Sequence, residues 1–257
     1  MSAMKYYEQL VDIGCFTVDD VANLTGNRET AYSTIKAYNK KGLIESVKRD
    51  LWVAISLETK QPVPNRYAIG SHAAPGAYIA YHSALEYHGI ANLVYYEVYA
   101  ASERRFRTFE HDGLTYTHVQ SPIDVGVVNK SGGVRVTDLE RTVLDGINDF
   151  SKVGGLEELL RSIALIPLLN SNKLLKYLAA YDKVFLYQKA GYILENFRDS
   201  LKLEDDFFKI CKTGVTGSKR YLYPRLQNQS SIYNAGWALC VPKDLSTITR
   251  KGATYIE

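Results

Sequence analysis

Three cysteines in 257 residues, Cys15, Cys211 and Cys240, are too few, too far apart and odd in number for a disulfide framework. No two of them stand at the spacing of a metal-binding pair, so they read as buried or half-buried free thiols in a reducing compartment. Long apolar runs are missing as well. No stretch of about 18 apolar residues occurs, which excludes a membrane-spanning helix, and the opening MSAMKYYEQL lacks the apolar centre of a signal peptide. A cytoplasmic protein without a membrane partner is the expectation. Strong charge of one sign is lacking too. A net charge of +3 and a sequence pI near 8.5 are compatible with nucleic acid, but a strong electrostatic footprint usually means a domain pI above about 9. Internal repeats and low-complexity tracts are absent.

The usual catalytic signatures are missing. No serine lies in G-x-S-x-G, no G-x-x-x-x-G-K precedes a helix, and H-E-x-x-H does not occur. His82 and Glu86 lie four apart with His88 nearby, but no third metal ligand is evident, and a hydrogen-bonded structural pair accounts for them. Asp138, Glu140, Arg141 and Asp145 form the densest acidic group. A metal-dependent nuclease centred there would need carboxylates converging with a lysine on a metal, whereas a helix cap and intrahelical pairs explain the same residues. The expectation is a protein that is not an enzyme, with no catalytic residue, no cofactor and no metal; the nuclease stands as an alternative.

What is present is concentrated in residues 17–55, TVDDVANLTGNRETAYSTIKAYNKKGLIESVKRDLWVAI. Thr17 is suited to cap a first helix, with Asp19 and Asp20 at the positive end of its dipole, and Gly26 stops it. Asn27 caps a second helix from Arg28 to about Lys41, which Gly42 ends at a left-handed position. At 100° per residue Ala31, Ile35 and Tyr38 share one side of that helix, while Glu29, Ser33, Lys36 and Lys40 lie opposite, flanked by Thr30 and Tyr32. Leu43 to Val47 and Leu51 to Ile55 alternate as two strands around a Lys48-Arg49-Asp50 turn. This is the plan of a winged helix-turn-helix. Arg28, Thr30, Tyr32 and Ser33 suit base reading in a major groove, and Lys36, Lys40 and Lys41 suit phosphates around it. Lys48 and Arg49, at the wing tip, would reach a phosphate or a minor groove. The competing reading is an interaction module that docks on protein, with the lysines forming a solvated face.

Around this module the chain reads as α+β. Residues 1–60 form the DNA-binding domain, with a support helix from Met4 to Val11, and KQPVPN supplies the linker. Residues 61–257 form a larger mixed domain with a helical second half and a possible subdomain break near 150. A helix is expected from Tyr78 to Tyr87. Strands follow at Val94 to Ala101, Arg105 to Phe109, Leu114 to Val119 and Val134 to Val136, with a hairpin turn at His111-Asp112-Gly113. Thr137 and Glu140 have the form of a capping box. The pattern is helical from Leu156 to about Cys211, and strand-like again at Lys219 to Tyr223 and Trp237 to Val241. Lys219, Arg220, Tyr221 and Arg225, around a loop of residues 213–218, interleave cations with rings in a way that suits nucleic acid or an acidic partner.

Three segments together, the winged helix-turn-helix, AYIAYHSALEYHGI and VTDLERTVLDGI, resemble the AbiEi-type antitoxins, transcriptional regulators of bacterial abortive-infection toxin-antitoxin systems. The resemblance implies an N-terminal domain that binds inverted repeats in its own promoter and represses the operon. It further implies a C-terminal domain that counteracts a nucleotidyltransferase toxin encoded alongside. The DNA-reading role would fall on Arg28 to Lys41 and on Lys48 and Arg49, and no catalytic residue is carried over. Gly217-Ser218 lacks the downstream D-x-D carboxylates that such a toxin needs to hold Mg²⁺, so this chain is not read as the toxin.

Overall fold

The computed structural model describes residues 4–215 and 219–243. By compactness the chain divides into two units, one of Met1–Ser83, Tyr95–Ser121 and Val127–Thr137, the other of Ala84–Val94, Pro122–Gly126 and Asp138–Glu257. Both mix helix and strand, so the fold is α+β. Residues 1–60 and the six-stranded sheet that follows them lie in the same unit. Among the described residues no helix is long and apolar enough to cross a membrane.

The first unit begins with α1 (Tyr7–Ile13), β1 (Cys15–Phe16), α2 (Val18–Thr25), α3 (Arg28–Lys40), β2 (Ile44–Lys48) and β3 (Leu51–Ala54). Local chemistry fixes the helix ends. The Thr17 hydroxyl accepts from the Asp20 amide while the Asp20 carboxylate takes the Thr17 amide at 2.8 Å, a reciprocal capping box. Gly26 closes α2 at φ 88°, and the Asn27 side chain caps α3 by accepting from the Thr30 amide at 2.7 Å. One apolar cluster joins these elements, built from Leu10, Phe16, Val18 and Val21 against Ala31, Ile35, Tyr38 and Ile44. Each large buried side chain contributes roughly 1.5–3 kcal/mol relative to exposure. Strand β1 was not expected from the sequence. It pairs antiparallel with β3 and makes the ribbon a three-stranded sheet in the order β1-β3-β2.

In chain order then come α4 (Arg66–Ser71), β4 (Tyr78–Ile79), α5 (His82–Tyr87), whose residues from Ala84 on belong to the second unit, β5 (Glu97–Ala101), β6 (Phe109–His111), β7 (Leu114–Val119), β8 (Val127–Asn129) and β9 (Arg135–Thr137). The six strands form one mixed sheet, in the order β6-β7-β5-β4-β9-β8. Asp112 and Gly113, both at positive φ, make the tight turn between β6 and β7. The helix expected from Tyr78 begins only at His82. Tyr78 and Ile79 are instead strand β4, paired with β5 and β9, and Tyr81 turns the chain at φ 54° before α5 begins.

The second unit carries α6 (Leu139–Asn148), α7 (Leu156–Ala164), α8 (Ser171–Tyr181), α9 (Val184–Glu195), α10 (Asp205–Thr213), β10 (Arg220–Tyr221), β11 (Ser231–Asn234) and β12 (Leu239–Pro242). The last three form a sheet in the order β10-β12-β11. The start of α6 also differs from the capping box expected at Thr137. Its cap is Asp138, whose carboxylate accepts from the Arg141 amide at 3.0 Å, and not Thr137, which ends β9. Glu140 turns away from the cap to accept the Asn170 amide at 3.0 Å.

Candidate nucleic-acid interface

Helix α3 presents two unlike faces. Ala31, Ile35 and Tyr38 are buried in the cluster below it. On the outside Arg28, Tyr32, Lys36 and Lys40, each four residues from the next, form an exposed ridge. Ser33 is exposed beside them, its hydroxyl donating to the Thr30 carbonyl at 2.9 Å, which leaves its oxygen lone pairs as acceptors. Thr30 is half-buried, and its backbone amide is spent on the cap. Lys41 follows the helix end, exposed, with its amide bonded to Ala37. Lys40 and Lys41 thus sit at the negative end of the helix dipole, which favours cations there.

The ridge is locally cationic and globally balanced. Residues 17–55 hold six cations against five carboxylates, so placement rather than net charge must supply any attraction for phosphate. Several of those carboxylates are already engaged. Asp20 closes the α2 cap, Asp50 accepts the Val18 amide at 3.3 Å, and Asp19 pairs with Arg28 at 2.9 Å. The Tyr32 hydroxyl and Asp19 both stabilise the Arg28 guanidinium and push its pKa further up. Arg28 is therefore partly occupied, although a guanidinium has five donors to share.

The ribbon behaves differently at its two tip residues. Arg49 stands exposed in the two-residue turn with Asp50, which adopts φ 61°. Lys48 is half-buried, its Nζ 5.9 Å from the centroid of the Phe109 ring on β6. Partial burial lowers its pKa, against the opposing pull of Asp50. Beside it the buried His111 Nε2 lies 3.4 Å from Glu45 on β2. The ribbon thus leans on the edge strand of the six-stranded sheet. Arg49 reaches outward from it, and Lys48 is largely spent on packing.

The other sequence candidates resolve into structural roles and one groove. His82 is buried between the Tyr95 and Tyr99 rings, both at 4.1 Å between centroids. Among the described residues no group of three or more His, Cys, Asp or Glu is arranged to hold a metal. Asp138 receives the Tyr177 hydroxyl at 2.7 Å and Lys173 at 3.0 Å, and Lys173 also reaches Glu140 at 3.3 Å. The fully buried Arg141 donates to Asp145 at 2.5 Å and to the carbonyl of Ile123 at 3.0 Å, and Tyr181 also donates to Asp145. Burial pushes the Asp145 carboxyl up, with Arg141 and Tyr181 opposing it. Asp138 and Glu140 thus serve as cap and ion-pair partners, and Asp145 is engaged through Oδ1 while its buried Oδ2 has no hydrogen-bond partner among the described residues. The three cysteines are buried free thiols, and burial pushes Cys15 and Cys211 up to about 12.

Of the late basic residues, Arg220 and Arg225 line an open groove, while Lys219 lies over the Tyr221 ring at 5.7 Å. The loop expected to offer backbone amides falls in part outside the described residues, at 216–218. Sequence reasoning missed the groove's other members, Phe185 and Lys189 on α9, because they stand in a helix that reads as apolar packing. The signal was a lysine four residues after a phenylalanine inside that apolar run, a spacing that puts both on one helix face. No family model matches the chain, and no curated protein matches it.

Proposed function

We propose that residues 1–60 act as a winged helix-turn-helix and that the protein is a DNA-binding regulator. In this reading α3 enters a major groove. Arg28, Thr30, Tyr32 and Ser33 face base edges, while Lys36, Lys40, Lys41 and Arg49 neutralise phosphates. Lys48 contributes more to seating the wing than to phosphate. The observation that carries the reading is the exposed Arg28–Tyr32–Lys36–Lys40 ridge standing opposite the buried Ala31–Ile35–Tyr38 face. The resemblance to AbiEi-type antitoxins extends it. The DNA would be the inverted repeats of the protein's own promoter, and the remaining residues, 61–257, would counteract a nucleotidyltransferase toxin in the cytoplasm, with no catalysis or cofactor of their own.

A second reading, a protein-docking module, is favoured by two features of the same ridge. Tyr32 is 54% exposed and Arg28 is already paired, a combination that also suits a protein interface, where Tyr and Arg are the usual anchors. Binding to the DNA upstream of the gene, compared with an unrelated duplex at physiological salt, separates the two. The regulator should prefer its own promoter by about 10³-fold or more. Binding to neither duplex would leave the docking module, and equal affinity for both, which is sequence-independent phosphate binding, would contradict a promoter-specific regulator.

A further inference from the structure

The second unit holds an open groove of about 1200 Å³, at or above the roughly 300–1,000 Å³ of small-molecule sites. One side is α9, which contributes Phe185 and Lys189. The facing side is β10 with Arg220, followed by a short 3₁₀ turn that carries Arg225. Phe150 and Tyr223 meet edge to face at 6.4 Å between centroids and line the same groove. The Trp237 indole packs on Gly191 of α9, and Gln188 donates to the Trp237 carbonyl at 2.5 Å. These contacts fix the small sheet against the helix, so the groove is built by packing rather than left between loops.

Lys189 is its unusual member. The residue is only 7% exposed, and its Nζ lies 4.2 Å from the centroid of the Phe150 ring and 5.8 Å from that of Phe185. Among the described residues its one hydrogen bond is long, 3.4 Å to the Asn148 carbonyl. An ammonium has three donors, and burying it with donors unfilled is costly. Burial lowers its pKa to about 8, with Asp149 opposing and Lys183 adding to the fall.

The charges around it leave an unbalanced positive field. Lys183, Arg220, Arg225 and Lys243 also line the groove, against Asp149 and Glu157. Asp149 is taken up by the Ser151 amide at 3.1 Å and hydroxyl at 2.6 Å, and Glu157 by Arg161 at 2.6 Å. Arg220 lies over the Phe185 ring, 5.3 Å from its centroid, which presents a flat cationic surface beside an aromatic one.

We infer that this groove binds a nucleoside phosphate, with the phosphates on Lys189, Arg220 and Arg225 and the base against Phe185 or Phe150. An acidic peptide would satisfy the cations but leave the rings unused, whereas a nucleotide uses both. The ligand has two possible sources, a free nucleotide or the phosphorylated end of a single strand. The inference is independent of the promoter reading, since every lining residue belongs to the second unit and no duplex is involved.

Calorimetric titration of the full chain with each of the four ribonucleoside triphosphates, inorganic triphosphate, a 5′-phosphorylated RNA hexamer and polyglutamate tests it. A nucleoside triphosphate or the hexamer should bind about tenfold or more tighter than inorganic triphosphate, the difference measuring base stacking. Tighter binding of the hexamer than of every free nucleotide identifies a strand end as the source, and the reverse identifies the free nucleotide. Lys189→Met should weaken binding by about tenfold or more, through loss of a charge-assisted contact. Arg225→Ala, at an exposed position, should weaken it by about threefold, and it serves if the Met variant fails to fold. Polyglutamate or inorganic triphosphate binding as tightly as the nucleotides, or both variants binding as wild type does, would overturn the inference.

Discussion

Arg28 opens the outward ridge of α3 and is held from two sides, by Tyr32 and by the Asp19 carboxylate at 2.9 Å. A phosphate or guanine approaching it competes with Asp19 and meets that carboxylate's charge. Asp19→Asn should therefore raise affinity for promoter DNA about two- to fivefold, the scale of an exposed ion pair, as read by direct titration. An unchanged affinity would mean that Arg28 does not face the DNA. Lys189 makes a different statement, about stability. Its folded pKa of about 8 lies below the ordinary 10.5, so its buried charge costs stability at neutral pH. Between pH 8 and pH 10.5 the folded chain sheds this proton while the unfolded chain keeps it, and stability rises with pH on this account. The Cys15 and Cys211 thiols, pushed up to about 12 from 9.0, act oppositely above pH 9, so a single stability curve mixes the effects. The difference between Lys189→Met and wild type isolates the lysine. The variant should be more stable by on the order of 2 kcal/mol at pH 7, and its advantage should shrink from pH 8 to pH 10 in chemical denaturation.

Among the elements, α2 and α3 were legible because their boundaries are set locally. Thr17, Gly26, Asn27 and Gly42 each cap or stop a helix through groups within a few residues. Strand β4 was not legible. Tyr78 and Ile79 fit the helical spacing of AYIAYHSALEY, and only pairing with Ala100, Ala101 and Val136, distant in sequence, makes them a strand. The cap of α6 was misplaced by one residue for a similar reason. Thr137 and Asp138 both suit the role, and the extent of β9 decides between them. The groove was half legible. Arg220 and Arg225 stood out as a cluster, but their partners Lys189 and Phe185 come from a helix some 30 residues earlier. Two glycines differ in what an added side chain would meet. Gly42 has φ 66° with open space around it, so Gly42→Ala should cost only about 1 kcal/mol of backbone strain. At Gly191 a Cβ would fall inside contact distance of the Trp237 indole, and Gly191→Ala should cost more, about 1–3 kcal/mol, by forcing helix and sheet apart. Equal costs in thermal or denaturant unfolding would contradict the close packing described for α9.

At the scale of the whole molecule, a net charge of +3 on 257 residues gives little general attraction for a polyanion. Any DNA binding must come from a few well-placed cations and should weaken steeply with salt by only as many counterions as those cations release. The proposed regulator concentrates them on one helix face and one turn, where the groove cations of the second unit take no part. The same proposal allows its parts to be separated experimentally, because the ridge and the groove use different residues and different ligands. The most direct measurement is the affinity for promoter DNA across a range of salt concentrations, for wild type and for Lys36→Ala with Lys40→Ala. If α3 carries the phosphate contacts, the log–log slope should flatten by about 0.9 for each lysine removed, about 1.8 for the pair. A slope that stays at the wild-type value would contradict the assignment of this helix to DNA.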